Sequence, residues 1–214
     1  NWGGNYLHEK QKQLDSTGER VTPELARQLA HDLYVPGAAE AVAQGYAGFG
    51  LDEFGDYPGS ATSASTEAFV GGMIDARKEL PDGFILAAWH AGAIGPELTG
   101  LYKQAVEFLL LESYLLDIVP SQLGTERLDR DMEGRLGDAR AADLFTAPYG
   151  SRCRVLPTVD VTDAIAIAEY ERFFRMMRRE FPEVRGLGFF NVLSEAKWDT
   201  YRLIDQLCFD YCIA

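Results

Sequence analysis

Cysteine, histidine and positive charge are all scarce in this sequence, and each scarcity narrows what the chain can do. The three cysteines, Cys153, Cys208 and Cys212, contain no CxxC, so neither a disulfide framework nor a zinc cluster is expected. Cys208 and Cys212 stand four apart on an expected helix and share a face, as buried thiols would. Three histidines without an HxH pair weigh against a zinc centre. Lys and Arg number 20 against 33 Asp and Glu, a formal charge of −13. That argues against a nucleic-acid surface, which needs clustered cations, and against anionic partners in general. No apolar run approaches the ~20 residues of a bilayer span. No GxGxxG or GxxxxGK[ST] follows an expected strand and no GxSxG occurs, which disfavours nucleotide binding and serine esterase chemistry. The chain begins at Asn1 with neither Met nor a signal-peptide pattern, so a processed or trimmed chain is the expectation.

What is present is enough for one sizeable core: 214 residues, 47% of them hydrophobic. The expectation is a single α/β domain over 1–214, with 1–20 an irregular N-terminal segment. Thr22-Pro23-Glu24 marks a helix start, and Pro36-Gly37 is expected to end that helix before a second short one over 38–44. Gly48, Phe49, Gly50 and Leu51 then alternate bare and bulky side chains, the pattern of a buried parallel strand. Further strands are expected over 84–90, 105–111, 154–160 and 184–190, the fourth weakened by Pro157. Helices are expected over 66–80, 96–104 and 163–180, with a charged helical excursion within 120–149 and a last helix after Ser194. The helix over 163–180 has the clearest period, and its arginines read as a solvated face beside glutamates.

The expected strands close on polar groups. Asp52-Glu53, Trp89-His90, Glu112-Ser113-Tyr114 and Asp160 end four of them, and Asn191 the fifth. Parallel strands carry their carboxyl ends to one rim, where α/β folds place their chemistry. Glu112 is the most informative, because an acid after Leu109-Leu110-Leu111 costs solvation energy unless it is paired or useful. Two carboxyls ~5–9.5 Å apart hydrolyse a glycosidic bond, one protonating the leaving oxygen and the other attacking or activating water. Adjacent strand residues point opposite ways, so Asp52 and Glu53 form such a pair by themselves only where the strand bends. The preferred pair is one of them with Glu112. Trp89, Tyr57 and Tyr114 are candidate stacking faces for sugar rings, with Trp2 a further one, and His90, Asp160 and Asn191 complete the candidate substrate wall.

Gly48-Phe49-Gly50-Leu51-Asp52-Glu53-Phe54 resembles the fourth barrel strand of (β/α)-barrel glycoside hydrolases, where a glycine-, aromatic- and leucine-containing strand delivers catalytic acids. The chitinase-like families have spaced acids there, which this chain lacks. The alpha-galactosidase-like and alpha-amylase-like families carry a nucleophilic Asp at that strand's end, which implies that role for Asp52. In the alpha-galactosidase-like arrangement the acid/base lies two strands later, which implies Glu112, with Asp160 on the next strand. The resemblance thus implies a TIM-type (β/α) barrel, complete or incomplete, acting on a carbohydrate without a cofactor, in a secreted or periplasmic setting. Five expected strands fall short of the eight that close a barrel, so an open parallel sheet with helices on both faces is the alternative. Two other functions use the same acids. One is a carbohydrate-binding barrel without catalysis, and the other a metal-dependent hydrolase or lyase with Asp52, Glu53, His90, Glu112 and Asp160 holding Mg²⁺ or Ca²⁺. Oligomeric state is left open.

Overall fold

In the computed structural model the described residues are 6–55, 63–91, 96–113, 128–145, 154–161, 167–184, 186–191 and 198–212. They form an α/β fold in which helices and parallel strands alternate. The elements are α1 (Tyr6–Asp15), α2 (Pro23–Ala43), β1 (Gly48–Gly55), α3 (Ser63–Ala76), β2 (Ile85–Ala91), α4 (Pro96–Ala105), β3 (Phe108–Ser113), α5 (Leu128–Ala141), β4 (Arg154–Val161), α6 (Ile167–Glu180), β5 (Gly188–Asn191) and α7 (Trp198–Cys212). The strands lie in chain order, β1-β2-β3-β4-β5, and the pairs β1–β2 and β4–β5 are parallel. The chain divides into two compact units, Asn1–Leu109 with Ala142–Arg154, and Leu110–Ala141 with Val155–Ala214.

In the first unit the expected irregular N-terminal segment contains α1 instead. This helix offers few apolar positions to a sequence reading because much of its docking is polar. Gln11, only 2% exposed, accepts a hydrogen bond from the Val21 backbone N–H at 2.9 Å and donates to the Glu19 carbonyl at 3.2 Å. One amide side chain thereby joins the helix to the segment that leads into α2, satisfying buried backbone groups. Ser65 fastens the same segment to α3 by donating to the Val21 carbonyl at 2.7 Å.

The α2 helix begins as expected, with the Thr22 hydroxyl accepting from Leu25 N–H at 3.2 Å and proline opening the first turn. It does not stop at Pro36-Gly37. An internal proline costs about 3 kcal/mol and one backbone bond, yet Pro36 lies on the exposed side, while Ala30, Leu33, Tyr34 and Ala38 on either side of it are buried. Burial of that continuous stripe offsets the local penalty. The true end is Gly45, whose φ of +84° suits glycine; Gln44 and Gly45 donate back to the carbonyls of Glu40 and Val42, at 3.0 and 2.9 Å.

Helices α2 and α3 approach so closely that a Cβ on Gly72 would overlap the Arg27 carbonyl and come within 2.8 Å of Ala30 Cβ. Around this crossing Arg27 forms an ion pair with Asp75, and Lys78 reaches the same carboxylate at 2.9 Å. The Lys78 and Arg27 hydrogen bonds hold Asp75 below the usual carboxylate range. At the start of β3, Glu107 accepts from the Leu86 backbone N–H at 2.8 Å, its own N–H donates to the Leu86 carbonyl at 2.9 Å, and Arg77 pairs with its carboxylate. This half-buried ion pair fixes the alignment of β3 beside β2. Lys103 of α4 similarly reaches Asp143 at 2.8 Å.

In the second unit, α5 buries Leu128, Met132, Leu136 and Ala139, and α6 buries Tyr170, Phe173, Phe174, Met176 and Met177. Such stripes at intervals of three and four are what lets the helices bury one face. Arg175, Arg178 and Arg179 are exposed, as a solvated face requires, whereas Arg172 is half-buried and paired with Glu169. Arg140 at the end of α5 closes over the Phe181 ring at 4.3 Å and donates to the Glu180 carbonyl at 2.6 Å. In β4, pairing with β5 begins at Thr158, one residue past Pro157, so the missing N–H precedes that stretch of the ladder. Strand β3 starts later than expected, because α4 continues through Ala105. Among the described residues no helix is long and apolar enough to cross a membrane.

Two outcomes test this account. Gly72→Ala overpacks the α2–α3 crossing and lowers unfolding free energy by about 1–3 kcal/mol. Gly134→Ala in α5, where a Cβ meets no atom within 4 Å, raises it by about 0.5–1 kcal/mol; urea midpoints of the two variants move in opposite directions. His31 donates from Nε2 to Glu79 Oε1 at 2.8 Å, and that hydrogen bond holds its pKa above the ordinary 6.5. The bond's contribution is therefore complete below pH 6.5 and fades as pH rises through the raised value. An NMR titration in Glu79→Gln returns His31 toward 6.5.

Candidate functional site

The two acids that drew attention in the sequence sit on an irregularity in β1. Gly48, Phe49, Gly50 and Leu51 pair in step with Ile85, Leu86, Ala87 and Ala88, and then Phe54 pairs with His90. Two residues of β1, Asp52 and Glu53, thus stand where β2 has only Trp89. This is a β-bulge, one extra residue that bends the strand, raises its twist and re-aims side chains. The regular one-to-one register therefore fails at this pair of residues. The bulge lies inside β1, which continues to Gly55.

Glu112 also lies inside its strand, as the fifth residue of β3. It is only 2% exposed, behind the buried Leu109, Leu110 and Leu111. Burial of a carboxyl among leucines is expensive unless its oxygens find partners, so the position is a specified one. Asp160 is the seventh residue of β4, and Asn191 ends β5 beside Val161 in the register. Every acid or amide here occupies the carboxyl-terminal half of its strand. Tyr57 and Tyr114, together with Trp2, lie outside the described residues.

His90 and Trp89 do not share a surface. His90 is 1% exposed, its Nδ1 hydrogen-bonded to the Tyr102 hydroxyl at 2.8 Å, with the two rings edge to face at 5.6 Å. The imidazole thus belongs to the β2–α4 contact. Trp89 leans the other way, across β2 onto β1. Its six-membered ring occupies the place where a Cβ on Gly50 would project, so the bare position in β1 is the seat of an indole.

That indole forms one wall of a cleft of about 450 Å³. Gly37, Glu40 and Ala41 of α2, with its C-cap Gln44, form another wall, and Tyr46, Gly48, Phe49 and Gly50 complete the lining. Phe49 is fixed from beneath by Tyr34, the two rings stacked at 5.0 Å and 20°. Tyr46 is 62% exposed. Glu40 accepts a hydrogen bond from the Gln44 amide at 3.1 Å, which orients both at the rim. The cleft flanks the first half of β1, ahead of the bulge, and the expectation of acids at strand ends gave no sign of it. The signal available in the sequence was the pairing of Gly48 and Gly50 with an aromatic at Tyr46.

Among the described residues, no group of three or more His, Cys, Asp or Glu side chains is placed to hold a metal ion. Comparison of the chain with protein-family models, curated proteins and solved structures finds no match in any of the three.

The buried polar groups of this unit respond differently to the same chemical change. Tyr102→Phe removes the hydroxyl bonded to His90 and costs about 1–3 kcal/mol. The Tyr34 hydroxyl is buried with no hydrogen-bond partner among the described residues, and burial pushes its phenol above the usual range. Tyr34→Phe is accordingly neutral or stabilising by about 1 kcal/mol. Thermal unfolding of the two variants separates these signs.

Proposed function

We propose that this chain is a hydrolase of glycosidic bonds, with one carboxyl of the β1 bulge and the Glu112 carboxyl as its reacting groups. The observation that carries the reading is the bulge, since an extra residue falls at the two adjacent acids and bulges commonly re-aim side chains beside active sites. The burial of Glu112 supports it, because an acid catalyst must keep its proton until the leaving oxygen takes it, and a dry setting favours that. Chain-order strands are also what a (β/α) barrel has, and the reading takes the sheet as part of one.

In this mechanism Glu112 donates its proton to the glycosidic oxygen as the bond to the anomeric carbon breaks. Asp52, the position implied by the resemblance of β1, attacks that carbon or takes a proton from the attacking water. In the first case Glu112 then deprotonates the water that releases the sugar, restoring its own proton. Neither route needs a metal or an organic cofactor.

The test is hydrolysis of a panel of oligo- and polysaccharides by the parent, Glu112→Gln, Asp52→Asn and Glu53→Gln, each checked for folding by circular dichroism. Glu112→Gln and one of the two bulge variants lose at least ~100-fold in kcat/KM, while chelator leaves the parent unaffected. Turnover abolished by chelator moves the acids into a metal site. Sugar binding without turnover in the parent replaces the hydrolase with a binding barrel.

A further inference from the structure

We infer that the cleft beside β1 is a docking site for an extended, basic peptide that adds a strand along the edge of β1 facing away from β2. β1 is the first strand in the order, so among the described residues its far edge carries no strand. The phase of its ladder follows from one bond, Ile85 N–H to the Ala47 carbonyl at 2.9 Å. In a parallel pair the residues that bond a given neighbour alternate along the strand. With Ala47 facing β2, the N–H and C=O groups of Phe49 and Leu51 face it too, and those of Gly48 and Gly50 face away. Gly48 and Gly50 are lining residues of the cleft. The cleft thus lies along main-chain donors and acceptors that point away from β2 at strand spacing, which is what strand addition recognises.

Its remaining lining selects the charge of the peptide. Among the described lining residues Glu40 is the one carboxylate, and none is Lys or Arg. Trp89 and the exposed Tyr46 offer aromatic faces that also attract cations. A chain of net charge −13 repels an acidic segment and draws a basic one. A lysine or arginine side chain of the added strand pairs with Glu40, while its neighbours pack on Tyr46 and Trp89. The site uses none of Asp52, Glu53 or Glu112, so its occupancy is independent of the hydrolase reading.

The experiment is fluorescence polarisation with the whole chain and a fluorescein-labelled octapeptide of alternating Val and Thr carrying one central Lys. The expected result is saturable binding that weakens at least about tenfold when the peptide Lys becomes Glu, or when Glu40→Lys is made in the protein. Glu40 is exposed, so the variant folds, and Tyr46→Ser gives a second, independent loss. N-methylation of alternate peptide residues abolishes binding in one of the two phases only, as strand pairing requires. Equal affinity of both N-methylated peptides overturns strand addition in favour of simple amine capture. Binding unchanged by Glu40→Lys and Tyr46→Ser overturns the site, as does absence of binding. Self-association that Tyr46→Ser abolishes, with no peptide binding, assigns the edge to a second copy of the chain instead.

Discussion

The first unit depends on a glycine being bare where an indole needs room. Trp89 fills the space a side chain at Gly50 would take, and everything around β1 follows from that contact. The ring covers one face of the strand at Gly50. The preceding residue, Phe49, turns to the other face and stacks on Tyr34 of α2. The stack is one of the contacts that hold α2 along the strand through Pro36, and the far end of that helix supplies Glu40 and Gln44 to the cleft. A side chain at position 50 would displace the indole and with it the cleft wall.

The same strand carries the bulge, and the two features divide β1 into a regular half and an irregular one. Gly48 to Leu51 pair regularly with β2, and beyond Leu51 the ladder slips by one residue at Asp52-Glu53. A strand that alternates faithfully cannot offer two adjacent carboxyls to one side, and a strand with an extra residue is released from that rule. The placement of two acids on the slip is therefore structural information about them. The buried position of Glu112, at the end of a run of buried leucines, is information of the same kind, since burying a carboxyl has a cost that its surroundings must offset.

Much of this was legible in the residues and some was not, for physical reasons. Glycine alternation announced β1 because a bare face is needed wherever a large neighbour must lie flat. The period of α6 announced itself because its buried face is aromatic and its exposed face charged. Helix α1 was illegible because Gln11, a polar residue, does much of its docking. The continuation of α2 through Pro36 was hidden because local propensity counts the proline and cannot count the burial of Tyr34 and Ala38. Trp89 and His90, grouped in the sequence by adjacency, part in the fold because consecutive strand residues face opposite ways. The acids were visible as residues, but the slip in register that sets two of them apart is a property of the pair of strands, and no single-strand pattern contains it.

Free sheet edges invite indiscriminate pairing, and proteins limit them with short strands, charges and bulges. Strand β1 shows two of these devices at once. The bulge at Asp52-Glu53 interrupts its regular run, so the straight edge available to another strand extends only over the residues before it. Glu40 stands beside that short edge as a charge that admits one sign and repels the other. A single irregularity thus has two consequences on one strand. At the bulge two residues of β1 stand opposite one of β2, and toward the amino end the regular ladder is restricted to a few residues beside the cleft. Removing the extra residue would restore a regular register along the whole of β1, so the two consequences are coupled through the backbone of that strand.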